Sequence, residues 1–138
     1  MRRVLLVAAL LGASAAQACG YCVEDKIASA YDHAVVTRAV GMGHHVAFYH
    51  LDGALTQNDA TRRALLSAAE SVHGVDKGSA RVALETLTLS FAFDPRRTSL
   101  ASAQSALDRT LAARKLSAFP MRVIERPGDL KEVPAPRP

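Results

Sequence analysis

The chain of 138 residues has no tryptophan, few aromatic residues and only two cysteines. Its core must therefore come mainly from Leu, Val, Ala and four Phe. After residue 18 no apolar run approaches the roughly 20 residues that a membrane helix needs, which predicts no stable membrane span. Blocks of Lys and Arg interleaved with aromatic residues are also missing, and this argues against a nucleic-acid interface.

The first 18 residues have the order of a secretory signal. Arg2 and Arg3 precede an apolar run over 4–11, and small residues follow up to Ala18. This order is typical of a cleavable signal peptide, so we predict cleavage after Ala18 and a soluble periplasmic or secreted product. Removing Arg2 and Arg3 lowers the formal net charge from +4 to +2. The rest of the chain is long enough for one domain with one core.

Two cysteines stand at the predicted mature N-terminus, in the sequence CGYC. Cys19 and Cys22 are three positions apart and come just before a predicted helix, whose N-terminus favours a thiolate. That placement supports metal binding or thiol exchange. Exported compartments also favour disulfides, so a structural disulfide that fixes the N-terminus is the first alternative for this pair.

Hydrophobic spacing predicts the remaining elements. Helical spacing of apolar residues predicts three helices, over 23–40, 58–72 and 99–116. Alternation predicts four strands, over 46–51, 82–84, 87–93 and 119–123. The apolar parity changes near Glu85 and Thr86, which indicates a turn or bulge there.

The last strand and the tail have their own signals. Phe119, Met121 and Val123 alternate and are predicted to share one face. Pro120 cannot donate a hydrogen bond to a neighbouring strand, which indicates an edge strand. The tail over 126–138 is rich in Pro and charge, and we interpret it as disordered.

From residue 44 the order is strand, helix, strand, strand, helix, strand. Two right-handed crossovers of this kind predict an α+β, ferredoxin-like βαββαβ sandwich with both helices on one sheet face. The helix over 23–40 is an addition to that fold. If Tyr49 and Leu51 face the core, then Val46, Phe48 and His50 face outward, and the N-terminal helix is available to cover them.

The segment GVDKGSARVALETLTLSFAFDPRRTSL, residues 74–100, resembles the heavy-metal-associated domain family. The matching pieces are Gly74-Val75, the alternating residues 82–86, and residues 93–95 followed by 98–100. The resemblance covers about residues 45–125 and implies the ferredoxin-like fold. In that family a Cys-x-x-Cys after the first strand captures soft Cu(I) or Zn(II). Here the corresponding positions hold about Asn58 and Thr61, so the chain is expected to be a degenerate member without that loop site.

Histidines add to the case for metal. His44, His45 and His50 lie within seven positions, and thiolate with imidazole would suit copper or zinc. We therefore predict a metal site with Cys19 and Cys22 as thiolate ligands, completed by His44, His45 or His50. For each histidine an exposed or strand-packed side chain is the alternative. His33 and His73 stand apart from this group.

These observations divide the chain into a signal peptide over 1–18, a Cys-x-x-Cys segment with a helix over 19–43, the ferredoxin-like domain over 44–125 and the tail over 126–138. No nucleophile motif or phosphate loop occurs, so we predict a protein that is not an enzyme. The favoured function is an exported carrier or binder of a soft metal, copper before zinc, without any other cofactor. The alternative is a structural or protein-interaction domain with a Cys19–Cys22 disulfide. A thiol oxidoreductase is a third interpretation.

Overall fold

The computed structural model describes residues 22–132, with side chains as far as residue 129. The predicted signal peptide and Cys19 lie outside this part of the chain. The elements in chain order are α1 Val23–Ser29, α2 His33–Gly41, β1 His45–Asp52, α3 Asp59–Glu70, β2 Arg81–Ala83, β3 Thr88–Phe93, α4 Leu100–Ala112, β4 Ser117–Ile124 and a 3₁₀ helix Pro127–Glu132.

The four strands form one antiparallel sheet in the order β2-β3-β1-β4. Helices α3 and α4 make the two crossovers, so the predicted ferredoxin-like α+β fold is confirmed. The predicted turn between the second and third strands is also confirmed. There the chain reverses between Ala83 and Thr88, and Leu87 adopts a positive φ of 53°.

One core fills the space between the sheet and helices α3 and α4. Tyr49 and Phe91 stack in it with ring centroids 5.2 Å apart. Helix α3 begins where the Asn58 side chain accepts a hydrogen bond from the Thr61 amide at 2.8 Å, and this satisfies one free donor of the first turn. The buried side chains of α3 belong to this core: Leu65, Ala68 and Ala69.

A second core covers the opposite face of the sheet, as the strand alternation predicted. Val46 and Phe48 are almost fully buried, at 1% and 0% exposure. They pack in one cluster with residues of β3, β4 and the two N-terminal helices: Ile27, Val35, Val36, Ala39, Val40, Ala92 and Ile124. Unlike an open ferredoxin-like sheet, this one is therefore buried on both faces.

The cover consists of two helices, whereas the sequence predicted one helix over 23–40. Helix α1 ends at Ser29, and α2 starts after Asp32, whose carboxylate accepts a hydrogen bond from the Val35 amide at 3.1 Å. The Ala30 carbonyl accepts a buried hydrogen bond from Ser90 Oγ at 2.9 Å. These two contacts hold the chain in a bend that helical spacing alone does not reveal.

Two further expectations are wrong in detail. Strand β4 lies at the sheet edge as predicted, but its register against β1 shifts after Phe48. Because such a shift changes the alternation of side chains, Met121 packs against the second core and Val123 against the first. The tail begins with ordered structure over Pro127–Glu132, where Asp129 Oδ2 accepts hydrogen bonds from the amides of Glu125 and Arg126, each at 3.0 Å. Residues 133–138 lie outside the described part.

Candidate metal site

The N-terminal helix pair is fastened to the sheet by one polar contact from each strand. In the order β4, β1, β3 and β2, the contacts are Arg122 with Glu24, His50 with Lys26, Ser90 with the Ala30 carbonyl, and Arg81 with Asp32. Together with Ile27, which is 0% exposed, they fix the position of α1 over the sheet. The residue directly before α1 is therefore held in a defined place relative to β1.

That residue is Cys22. It adopts an extended conformation directly before α1, and its carbonyl accepts a hydrogen bond from the Lys26 amide at 3.0 Å. Its thiol is exposed and donates to Asp25 Oδ2 at 3.1 Å. The other predicted thiol ligand, Cys19, precedes the described residues. The pairing of the two cysteines thus stays a prediction.

His50 on β1 contacts helix α1 through the side chain of Lys26. The Lys26 ammonium is 3.1 Å from His50 Nδ1, and because an ammonium has only donors, Nδ1 is the acceptor. The neutral ring must then carry its proton on Nε2. Within residues 22–129, Nε2 of His50 has no hydrogen-bond partner. Of the three predicted histidine ligands, His50 is the one whose ring contacts helix α1, through the Lys26 side chain.

His44 is held at the other end of β1 by two carboxylates. Its Nδ1 is 2.8 Å from Asp76 Oδ2, and its Nε2 is 3.7 Å from Asp94 Oδ2. Asp94 also accepts hydrogen bonds from Arg96, from Nε at 3.0 Å and from Nη2 at 3.2 Å. The Arg96 guanidinium lowers the pKa of Asp94 to about 2. This carboxylate therefore stays ionised beside His44.

His45 is the first residue of β1. Its ring packs edge to face on the Phe93 ring, with the ring centroids 5.6 Å apart. Its Nδ1 atom is 4.0 Å from Glu125 Oε1. Five residues separate it from His50, a distance along the strand of about 17 Å. His44 and His45 therefore cannot share one ion with His50. Among residues 22–129, no three His, Cys, Asp or Glu side chains are grouped closely enough to hold a metal ion.

The remaining positions considered in the sequence have structural contacts. His33 lies on α2, with Nδ1 3.3 Å from the Tyr31 hydroxyl, and His73 is exposed in the turn after α3. Asn58 and Thr61 form the N-cap of α3 described above. The sequence analysis missed Lys26, although its position four residues after Cys22 on a predicted helix places it on the same side as Cys22. It also missed Asp76, which is 32 positions from His44 and gave no local signal.

Comparison with known proteins gives the following results. No family model matches the chain, and no curated protein matches it either. One similar solved structure is a copper-binding domain from HMA7, a P-type ATPase, with 19% identity over 57% of this chain and 96% of that one, at a TM-score of 0.47. Another is oxidized MerP from Ralstonia metallidurans CH34, with 20% identity over 57% of this chain and 99% of that one, at a TM-score of 0.45. Copper binding is a property of the first of these proteins. The fold of the present chain is established by its own strand order.

The helices in the described part of the chain are short. None of them is long and apolar enough to cross a membrane.

Proposed function

We propose that this protein is an exported, non-enzymatic carrier that binds a soft metal ion, with copper favoured over zinc. Its ligands are the thiolates of Cys19 and Cys22. The observation that carries the proposal is the exposed Cys22 thiol at the start of a helix that is fastened across the sheet. A thiolate at Cys22 is open to solvent and to a partner that delivers or removes the ion.

Thiolate ligands suit this chemistry. Two sulfurs three positions apart can bind one soft ion, and the spacing is typical of Cu(I) and Zn(II) sites. A neutral thiol must lose its proton to become a ligand, so binding releases protons and weakens at low pH. When Cys22 is deprotonated it can no longer donate to Asp25, and that hydrogen bond is expected to break on metal binding.

His50 is the favoured third ligand, and Lys26 opposes its use. Coordination through Nε2 would move the ring proton to Nδ1, where it would face the Lys26 ammonium at the present distance of 3.1 Å. A glutamine at position 26 could instead accept this proton, and such a contact orients a histidine ligand. The site therefore gives a specific expectation: Lys26→Gln should tighten binding if His50 is a ligand.

The test is anaerobic metal titration of the reduced mature protein, followed by native mass spectrometry with Cu(I) and with Zn(II). We expect one bound ion per protein molecule. Each of the two single variants, Cys19→Ser and Cys22→Ser, should fail to bind it. His50→Asn should weaken binding, and Lys26→Gln should strengthen it. His45→Asn is the matched control, because His45 lies on the same strand but at the distant end, and its affinity should stay unchanged.

The opposite results have definite meanings. Unchanged affinity in Cys22→Ser would refute the proposal. If no metal binds and the mass falls by two hydrogen atoms after exposure to air, the cysteines form a disulfide. That result would favour the structural or interaction domain. Turnover of a dithiol substrate would favour the oxidoreductase. Export is tested separately by mass measurement of protein isolated from the periplasm or medium, which should begin at Cys19.

A further inference from the structure

A groove lined by several basic residues lies on the side of the sheet that carries α3 and α4, opposite the face covered by α1. It has a volume of about 540 Å³ and lies between the turn after α3, the loop before α4, and α4 itself as far as Arg109. Its basic lining residues are His73, Arg96, Arg97 and Arg109. No Asp or Glu is among the lining residues. The groove wall therefore carries three guanidinium groups, and one of them, that of Arg96, is bound to the Asp94 carboxylate.

The basic residues differ in how far they are engaged. Arg96 is bound to Asp94 through Nε and Nη2. In the described part of the chain, by contrast, the side chains of Arg97, Arg109 and His73 make no hydrogen bond or ion pair, and all three are exposed. Two guanidinium groups with all their donors available thus line the same cavity. Such groups bind phosphate and carboxylate oxygens in pairs of parallel hydrogen bonds.

The backbone holds the two sides of the groove together. The Gly74 carbonyl accepts a hydrogen bond from the Asp94 amide at 2.9 Å, and the Arg97 amide donates to the Asp94 carbonyl at 3.0 Å. Gly74 has a φ of +84°, and a Cβ at this position would lie 2.6 Å from Thr98 Cγ2. Only glycine allows this close approach. The turn that carries His73 is therefore tied to the loop that carries Arg97, so the backbone that presents these two side chains is fixed before any ligand binds.

We propose that this groove binds a small polyanion whose phosphate or carboxylate groups are held by Arg97 and Arg109. Ser99 Oγ donates to Ser102 Oγ at 3.0 Å, so the Ser102 hydroxyl, which also lines the groove, is the neutral hydrogen-bond donor beside them. The cavity accepts a molecule with two or three anionic groups, and its exposed arginines make binding dependent on salt. This site is separate from the proposed metal site and does not depend on it.

The experiment is titration of metal-free mature protein at low salt with inorganic pyrophosphate and, separately, with citrate, followed by amide NMR and calorimetry. We expect saturable binding of at least one anion, with the largest shifts at the amides of Gly74, Thr98 and Ser99. Arg97→Gln combined with Arg109→Gln should weaken binding about tenfold or more, because the charge-assisted hydrogen bonds of two guanidinium groups are lost. Saturation by pyrophosphate alone would assign phosphate chemistry, and saturation by citrate alone would assign carboxylate chemistry.

The matched control replaces two exposed arginines that do not line the groove, Arg63→Gln with Arg114→Gln. This control also removes two positive charges. Its affinity for the anion should stay within about twofold of the affinity of the unmodified protein. An equal loss in this control would show that net charge alone attracts the anion and would overturn the proposal. Failure of both anions to saturate, or shifts confined to other surfaces, would overturn it as well. Metal binding should be unchanged in both double variants, so this proposal and the metal proposal can fail independently.

Discussion

Replacing Ile27 by alanine tests whether α1 is held in place by the second core. Ile27 is the one buried residue of this helix and is 0% exposed. Truncating a buried isoleucine to alanine costs about 2–5 kcal/mol, because apolar contact is lost and a cavity remains. A helix of seven residues cannot persist alone in water, so its position depends on this anchor and on its polar contacts.

The measurements are thermal and urea denaturation by circular dichroism, combined with hydrogen exchange of the α1 amides. For a domain of this size, the expected decrease in the free energy of unfolding of Ile27→Ala should lower the melting temperature by roughly 8–20 °C. Faster exchange should be concentrated in α1, because α3 and α4 pack on the opposite sheet face. Val23→Ala is the control on the same helix. Val23 is 49% exposed, and its truncation should change stability by no more than about 0.5 kcal/mol.

The reasoning would be refuted if Ile27→Ala were as stable as Val23→Ala. In that case α1 would not depend on the second core. The argument that Cys22 has a fixed position relative to His50 would then fail too.

Three further predictions concern local structure. Gly74→Ala should destabilise the protein by more than Gly78→Ala in thermal denaturation, since both have positive φ but only at Gly74 would the added Cβ meet a neighbour at 2.6 Å. Asp32→Ala should cost about 0.5–2 kcal/mol in urea denaturation, because its carboxylate caps α2 and also pairs with β2. The folded pKa of Asp94, about 2, lies below its ordinary value of 3.8, so its contribution to stability is complete above about pH 4 and is lost as the pH falls through about 2. Asp94→Asn should therefore flatten the acid dependence of urea midpoints over that interval, and an unchanged slope would contradict this.

The fold could be predicted largely from local patterns. The period of the apolar residues and the parity change near Glu85 define the order of the elements, and the crossover rule restricts how they connect. The break between α1 and α2 could not be predicted in this way. It depends on Ser90, which is 60 positions from Ala30, and helical spacing contains no information on such a distant partner.

The candidate site shows the same limit. The sequence identified Cys22 and His50 as chemically suitable, and alternation placed His50 on the covered face. It could not separate His50 from His44 and His45, because their proximity in sequence conceals the length of the strand between them. The carboxylates that hold His44 come from the loop before β2 and from the end of β3. Only the folded chain brings them together.

The N-terminal helices are synthesised before the strands of the sheet that they cover. Residues of α1 are synthesised first, but Arg122, the partner of Glu24, follows 98 positions later, and Ile124 of the second core comes after it. The surface that receives α1 is thus complete only when β4 has joined the sheet. We expect α1 to dock among the last events of folding, since contacts between distant residues form slowly. The segment that carries Cys22 would therefore stay undocked, and its thiol accessible to a metal, an oxidant or a folding catalyst, for most of the time that the chain takes to fold.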